Sequence, residues 1–299
     1  MKRERACMQI DGRTKLFGVF GDPIGHTFSP MIHELLIEAY GENMAYAAYH
    51  VESIHLREAL QGAWAMNIQG LNLTIPHKEK AIPYLSGIDP TAGRVGAVNT
   101  LKWTPDGYYG YNTDVYGMQR QLRANGIFLE GKEVLILGAG GAARSAVAVC
   151  QLEKAASIRI YNRTQKRAEE LVRHFQQGTE PKGPAIQVLN REQLLNTPHP
   201  YVIQTTPAGM LNVADRLPVE EEEFYGGILC AADVVFNPKN TPFLQKAQTC
   251  GAKTADGLLM LFYQAVKAFE IWNEMEFNRE QTEWLQQKFL NWAEEYFHA

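Results

Sequence analysis

Apolar runs and amphipathic stretches alternate along the chain. "LFGVF" at 16–20 reads as a buried strand, and the turn-rich "GDPIGHTFSP" follows it. A helical pattern then runs from about Met31 to Tyr40. "AYAAYHV" predicts a second strand and "SIHLREALQGAW" a second helix with Ser53 as its N-cap. "GLNLTI" at 70–75 predicts a third strand that ends at Pro76. Its alternation would put Leu71, Leu73 and Ile75 on one face and Asn72 and Thr74 on the other. "AVNTLKW" and "YYGYN", separated by "PDG", read as two strands around a tight turn. Such alternation implies an α/β layer structure.

The cleanest strand–turn–helix unit begins at "GKEVLILGAGGAARSAVAVC". Apolar runs recur at "IRIYN", "YVIQTT" and "ILCAADVVF". Runs without polar alternation suit a parallel sheet covered on both faces. After Asp256 the pattern is helical to the end, and Leu285, Phe289, Trp292 and Tyr296 share one predicted core-facing stripe. With 299 residues the chain suits two domains, with a boundary near 112–117 and a second domain reaching about 254.

The chemistry starts in the glycine-rich turn. Gly138, Gly140 and Ala143 fit G-x-G-x-x-A directly after "VLIL" and before a helix of small residues. Gly138 would permit the tight turn, Gly140 a close approach of the backbone to a pyrophosphate, and Ala143 close helix–strand packing. The helix N-terminus would supply N–H groups and positive dipole to the phosphates. In an NAD-binding site an acidic residue closes the next strand and binds the ribose 2′-hydroxyl. Here Asn162 stands there, followed by Arg163, Thr164, Lys166 and Arg167. Permanently charged guanidinium groups suit a 2′-phosphate, so the turn predicts NADP. Thr164 would also cap the helix that follows.

Strand ends in the first half carry polar residues suited to a polyhydroxylated substrate. Lys78 follows the third strand, and "GAVNT" and "GYNTD" place Asn99, Asn112 and Asp114 at two further ends. Thr27 and Ser29 follow the first strand. Ser29 before Pro30 reads as a capping serine that could also face a ligand.

Composition narrows the classes. Net charge is −4, so no basic field argues for nucleic acid or an anionic membrane. The longest apolar stretch, 134–150, is interrupted by glycines and Arg144, and no apolar run follows the charged start. The cysteines, Cys7, Cys150, Cys230 and Cys250, form no C-x-x-C pair and fit no zinc pattern. Three of them, in apolar or small surroundings, read as buried thiols of a reducing, cytoplasmic compartment. No metal is expected.

With these pieces assembled, the chain resembles the shikimate dehydrogenase family, including its quinate/shikimate branch. The resemblance rests on "GDPIGHTFSP", "NLTIPHKE", "GAVNT", "GYNTD", "GAGGAAR", "NRTQKRA", "DVVFNPKNTPFL" and "DGLLMLFYQA" in the family's order. It implies NADP-dependent, reversible reduction of 3-dehydroshikimate to shikimate, a step toward chorismate and the aromatic amino acids. It implies Lys78 and Asp114 as the catalytic pair, and Thr27, Ser29, Asn72, Thr74, Asn99 and Gln264 as substrate-binding residues. The cofactor residues it implies are Gly138, Ala139, Gly140, Gly141, Ala142, Asn162, Arg163, Thr164, Arg167, Thr206 and Gly257. The implied organisation is a catalytic α/β domain, 1–113 with 256–299, completed by C-terminal helices, and a Rossmann-like NADP-binding domain, 114–255. The partner implied is a small-molecule substrate, with self-association into a homodimer left open.

Four departures qualify the resemblance. Thr27 stands where the family usually has serine, and Phe236 where it has the tyrosine of Y-N-P. Gln204 replaces an asparagine and Val234 a methionine. A hydroxyl lost from a substrate carboxylate costs about 1.5–3 kcal/mol. Thr27 and Phe236 therefore motivate quinate or aminoshikimate as alternative substrates. A non-catalytic NADP-binding regulator would not need both Lys78 and Asp114. A methylene-tetrahydrofolate dehydrogenase shares the two-domain plan, but "NLTIPHKE" and "GYNTD" argue against it.

Overall fold

The computed structural model describes residues 10–177 and 183–298. The chain divides into two compact units. The first gathers Met1–Asp89, Val98–Tyr111 and Ala268–Ala293, and the second Pro90–Ala97, Asn112–Lys267 and Glu294–Ala299. Cys7 lies outside the described residues.

The first unit is built on a mixed sheet of β1 (Lys15–Gly21), β2 (Met44–His50), β3 (Gly70–Leu73), β4 (Gly87–Ile88), β5 (Thr100–Thr104) and β6 (Gly107–Tyr111), in the order β2-β1-β3-β5-β6-β4. β1 runs parallel to β2 and β3, and β5 is antiparallel to β3 and β6. Helices α1 (Ser29–Tyr40) and α2 (Leu56–Ala65) follow the first two strands. The predicted hairpin is β5–β6, where Gly107 takes φ +127. The two-residue β4 had no legible signal.

β3 ends two residues earlier than the strand expected at 70–75. All four of its residues are buried, because neighbours on both edges and layers on both faces enclose it. Ile75 lies beyond the strand and is 54% exposed. Ser53 is not the cap of α2 either. It opens a short 3-10 turn, and its hydroxyl accepts from the Lys80 ammonium at 2.9 Å.

Trp272 closes the core of this unit. Its ring centroid lies 5.0 Å from that of Phe17, and its Nε1 donates to the Leu101 carbonyl at 2.9 Å. The indole lies over Gly70, where a Cβ would come within 2.5 Å of its Cε2. Gly70→Ala is therefore expected to destabilise the fold by about 1–3 kcal/mol through overpacking. Thermal denaturation should show this as a fall in Tm of several degrees, and an unchanged Tm would mean the indole moves aside without cost.

The second unit carries a fully parallel sheet of β7 (Glu133–Leu137), β8 (Ser157–Tyr161), β9 (Ala185–Val188), β10 (Tyr201–Gln204), β11 (Cys230–Asp233) and β12 (Lys253–Ala255). The order is β12-β11-β10-β7-β8-β9, so strand order reverses between β7 and β10. Helices α3 (Pro90–Val95), α4 (Asp114–Ala124), α5 (Gly141–Leu152), α6 (Gln165–Gln176), α7 (Arg191–Asn196) and α8 (Pro242–Thr249) belong to it. Val134, Ile136, Ala143, Ala146, Val147, Ile158 and Ile160 pack as one continuous core. This is the doubly covered parallel sheet that unbroken apolar strands require.

α9 (Leu258–Asn273) and α10 (Arg279–His298) form the C-terminal helices. Leu285 and Phe289 are buried as expected, and Trp292 is half-buried against Phe28, with ring centroids 5.0 Å apart. Tyr296 turns outward at 48% exposure, and Ala293 continues the buried stripe instead. Of the cysteines, Cys150 is buried, Cys230 half-buried and Cys250 exposed, so the reading of all three as buried thiols holds for Cys150 alone. No helix among the described residues is long and apolar enough to cross a membrane.

Candidate active site

In the first unit, polar side chains collect where β1 and β3 end and β5 begins. β5 runs antiparallel, and Thr100 pairs with Asn72, so the start of β5 lies beside the end of β3. Asn99 is thereby brought to the same edge. The buried Asn72 amide donates to the Asn99 carbonyl at 3.1 Å and to the Thr100 hydroxyl at 3.2 Å. Its Oδ1 accepts from the Tyr46 hydroxyl at 2.8 Å. Lys78 is half-buried, and its backbone carbonyl accepts from the Val98 N–H at 2.8 Å, which ties its turn to the segment that leads through Asn99 into β5. Thr74 packs its methyl over Gly21, where a Cβ would collide with it.

The Thr27 hydroxyl donates to Ser29 Oγ at 3.1 Å, and the Ser29 N–H donates to Thr27 Oγ1 at 3.2 Å. Ser29 is not a capping residue. It is the first residue of α1, Phe28 occupies the cap position, and no side chain caps the helix. Its hydroxyl is paired with Thr27 and does not cap the helix.

The second unit holds the other predicted residues. Asp114, 3% exposed, opens α4. Gln264 on α9 donates to the Leu261 carbonyl at 2.8 Å. The two helices pack closely, since a Cβ at Gly117 would come within 2.6 Å of the Met260 carbonyl and 3.0 Å of Gln264 Cβ.

The glycine turn behaves as its pattern requires. Gly138 takes φ +116, and a Cβ there would meet Thr205 Oγ1 at 2.5 Å. At Gly140 a Cβ would meet nothing within 4 Å, so packing within the protein does not explain that glycine. α5 starts directly behind it with no side-chain cap, and Ala143 is fully buried beneath. An open glycine at an uncapped helix start, at the point where strand order reverses, is a cradle that fits a pyrophosphate. At the end of β8, Asn162 donates to the Thr164 carbonyl at 2.9 Å, which shapes the turn. Arg163, Lys166 and Arg167 are exposed on it. Thr164 holds the cap position of α6, but its side chain makes no capping bond.

Sequence reading missed a buried polar network that shapes the loop after β10. Gln204 Nε2 donates to the carbonyls of Thr206 at 3.1 Å and Ala208 at 3.0 Å, and its Oε1 accepts from the Thr206 N–H. Asp233 accepts from the Val235 N–H at 2.9 Å and the Thr241 hydroxyl at 2.7 Å, and burial pushes its carboxyl up to about 7. Gln204 thus fixes the segment that carries Thr206, and its departure from the family's asparagine was the available signal. Gly257 is forced by close approach, because a Cβ would strike the Val234 carbonyl. Phe236 is half-buried.

Residues 19–101 match the model of the shikimate dehydrogenase substrate binding domain, and residues 122–193 that of shikimate / quinate 5-dehydrogenase. A shikimate dehydrogenase (NADP(+)) of Methanosarcina mazei is 41% identical over 88% of this chain and 94% of its own length.

The chain belongs to the shikimate dehydrogenase family.

Solved members of similar structure include the Thermus thermophilus shikimate 5-dehydrogenase in complex with NADP(H) and shikimate. It has a TM-score of 0.78 and 29% identity, over 92% of this chain and all of that one. A ligand-free 5-ketofructose reductase of a Gluconobacter strain is also similar, with a TM-score of 0.77 and 30% identity over 94% and 99%. The shikimate dehydrogenase fold thus also occurs in a reductase named for a different polyhydroxylated ketone.

Proposed function

We propose that the chain catalyses the reversible, NADP-dependent reduction of 3-dehydroshikimate to shikimate. The observation that carries this is the joint presence of the Asn72–Asn99 polar cluster beside Lys78 and of the basic turn after β8. NADPH, when bound, supplies the hydride to the ring carbonyl carbon. In this reading the glycines and alanines of 138–142, with Thr206 and Gly257, hold the dinucleotide, and Arg163 and Arg167 hold its 2′-phosphate with Asn162 and Thr164. Lys78, as an ammonium, stabilises the developing alkoxide and donates the proton that completes the alcohol. Asp114 orients Lys78 through a charge-assisted hydrogen bond. Thr27, Ser29, Asn72, Thr74, Asn99 and Gln264 bind the carboxylate and hydroxyls of the substrate. The domains proposed for these roles are 1–113 with 256–299 for substrate and 114–255 for cofactor. Homodimerisation and a cytoplasmic location are carried as part of the same reading.

Initial rates with shikimate, quinate and aminoshikimate, each with NADP and with NAD, test the proposal. Shikimate with NADP is expected to give the highest kcat/KM. Phe236 favours a second reading, because a phenyl ring there offers no hydroxyl to the substrate. A higher kcat/KM for quinate or aminoshikimate would establish that reading. NADPH binding without turnover of any of the three would identify a regulator.

A further inference from the structure

Two threonines follow β10, and they differ in what their hydroxyl protons do. Thr205 donates its proton to the Leu137 carbonyl at 2.7 Å. Thr206 is governed by Gln204. The carbonyls of Thr206 and Ala208 can only accept, so the Gln204 amide nitrogen must face them, at 3.1 and 3.0 Å. The same nitrogen has a longer contact with Asp233 Oδ1 at 3.4 Å. The amide oxygen then accepts from the Thr206 N–H. Both backbone groups of Thr206 are thereby taken by one buried side chain. The Thr206 side chain is fixed as well. Its methyl group faces the glycine turn, where a Cβ at Gly138 would come within 3.2 Å of it, and its Oγ1 accepts from the Ala208 N–H at 3.2 Å. The Thr206 hydroxyl proton has no acceptor among the described residues.

We infer that Gln204 is a positioning residue for the cofactor: it holds both backbone groups of Thr206, so that the Thr206 hydroxyl, as a donor beside Gly138, is the group this loop offers to an oxygen of the dinucleotide. The inference rests on the proposed cofactor role of Thr206. It gives Gln204, which stands in place of the family's asparagine, a part in cofactor affinity. An asparagine is one methylene shorter, and its amide would draw back from these partners. The two ends of the loop are anchored without Gln204. Thr205 pins the start to β7, with its N–H and its hydroxyl both on the Leu137 carbonyl, at 2.9 and 2.7 Å. At the far end Gly209 takes φ +86 and packs against Thr241, where a Cβ would come within 3.0 Å. Thr241 is held in turn by the Asp233 carboxylate at 2.7 Å. Gln204 therefore sets the middle of a loop whose ends stay in place.

The test is Gln204→Met in the full-length protein, alone and combined with Thr206→Val, with Kd for NADPH read by fluorescence titration. Methionine keeps the length of the side chain and removes its hydrogen bonds. Kd for NADPH should rise about two- to tenfold, the effect of one neutral hydrogen bond. kcat should stay within about threefold and KM for shikimate should not move, a split that general loosening of the fold would not produce. Gln204→Asn should shift Kd in the same direction, and it serves as the second background if Gln204→Met does not fold. Thr206→Val keeps the methyl that faces Gly138. It should raise Kd about two- to tenfold in the otherwise unaltered protein and by less than about twofold in the Gln204 variant. Thr206→Ser, which keeps the hydroxyl, should stay within about twofold of the unaltered protein. An unchanged Kd in the folded Gln204 variants, or the same effect of Thr206→Val in both backgrounds, overturns the role of Gln204 alone. If Thr206→Val leaves Kd unchanged in the otherwise unaltered protein, Thr206 is misassigned as a cofactor residue and the inference falls with it.

Discussion

Lys78→Ala is expected to lower kcat for shikimate oxidation by about three orders of magnitude, within the range that one general acid–base group supplies. KM for NADP should change by less than about threefold, because the cofactor residues all lie elsewhere in the chain. The structure supports a clean experiment. The turn that carries Lys78 is held by its backbone, through the Val98 N–H to the Lys78 carbonyl at 2.8 Å, and alanine keeps that bond. Steady-state kinetics combined with a fluorescence titration of NADPH separate the two effects. A parallel loss of turnover and NADPH binding would make Lys78 a structural residue and remove the proposed mechanism.

The second large effect concerns the choice of cofactor. Replacing Arg163 and Arg167 with alanine is expected to raise KM for NADPH by at least about tenfold per lost contact, since hydrogen bonds to a charged group are worth about 1.5–3 kcal/mol. KM for NADH should stay nearly constant, because NADH has no 2′-phosphate to lose. Both guanidinium groups are exposed on the turn after β8, and the turn is shaped by the Asn162 amide on the Thr164 carbonyl, so their removal should leave the backbone in place. Equal weakening of NADPH and NADH would mean that the turn supports the dinucleotide in general and does not read the phosphate.

The polar cluster of the first unit and the glycine turn of the second differed in how much could be read from the chain. The dinucleotide turn was legible because its requirements are local. Gly138 has to adopt φ +116 beneath Thr205, and only a glycine does so without strain. The glycine, the open position at Gly140 and the helix behind them occupy one short contiguous run. Ser29, Ser53 and Ile75 were misread by local rules, and in each case tertiary surroundings prevailed. Ser53 found Lys80 as a donor, β3 was enclosed on both faces, and Phe28 took the cap position of α1. Gln204 and Asp233 stand at the ends of different strands, and nothing along the chain indicates that they meet.

Periodicity, backbone conformation and fixed charge act over a few residues at a time. They were enough to specify the class of the fold, the parallel sheet of the second unit, the glycine turn and the basic residues that follow it. Which polar groups share protons was settled only in three dimensions. Antiparallel pairing carried Asn99 and Thr100 to the Asn72 amide, and β2 laid the Tyr46 hydroxyl against the oxygen of the same side chain. The direction of a hydrogen bond depends on every neighbour at once, and that is why no motif in the chain announced it.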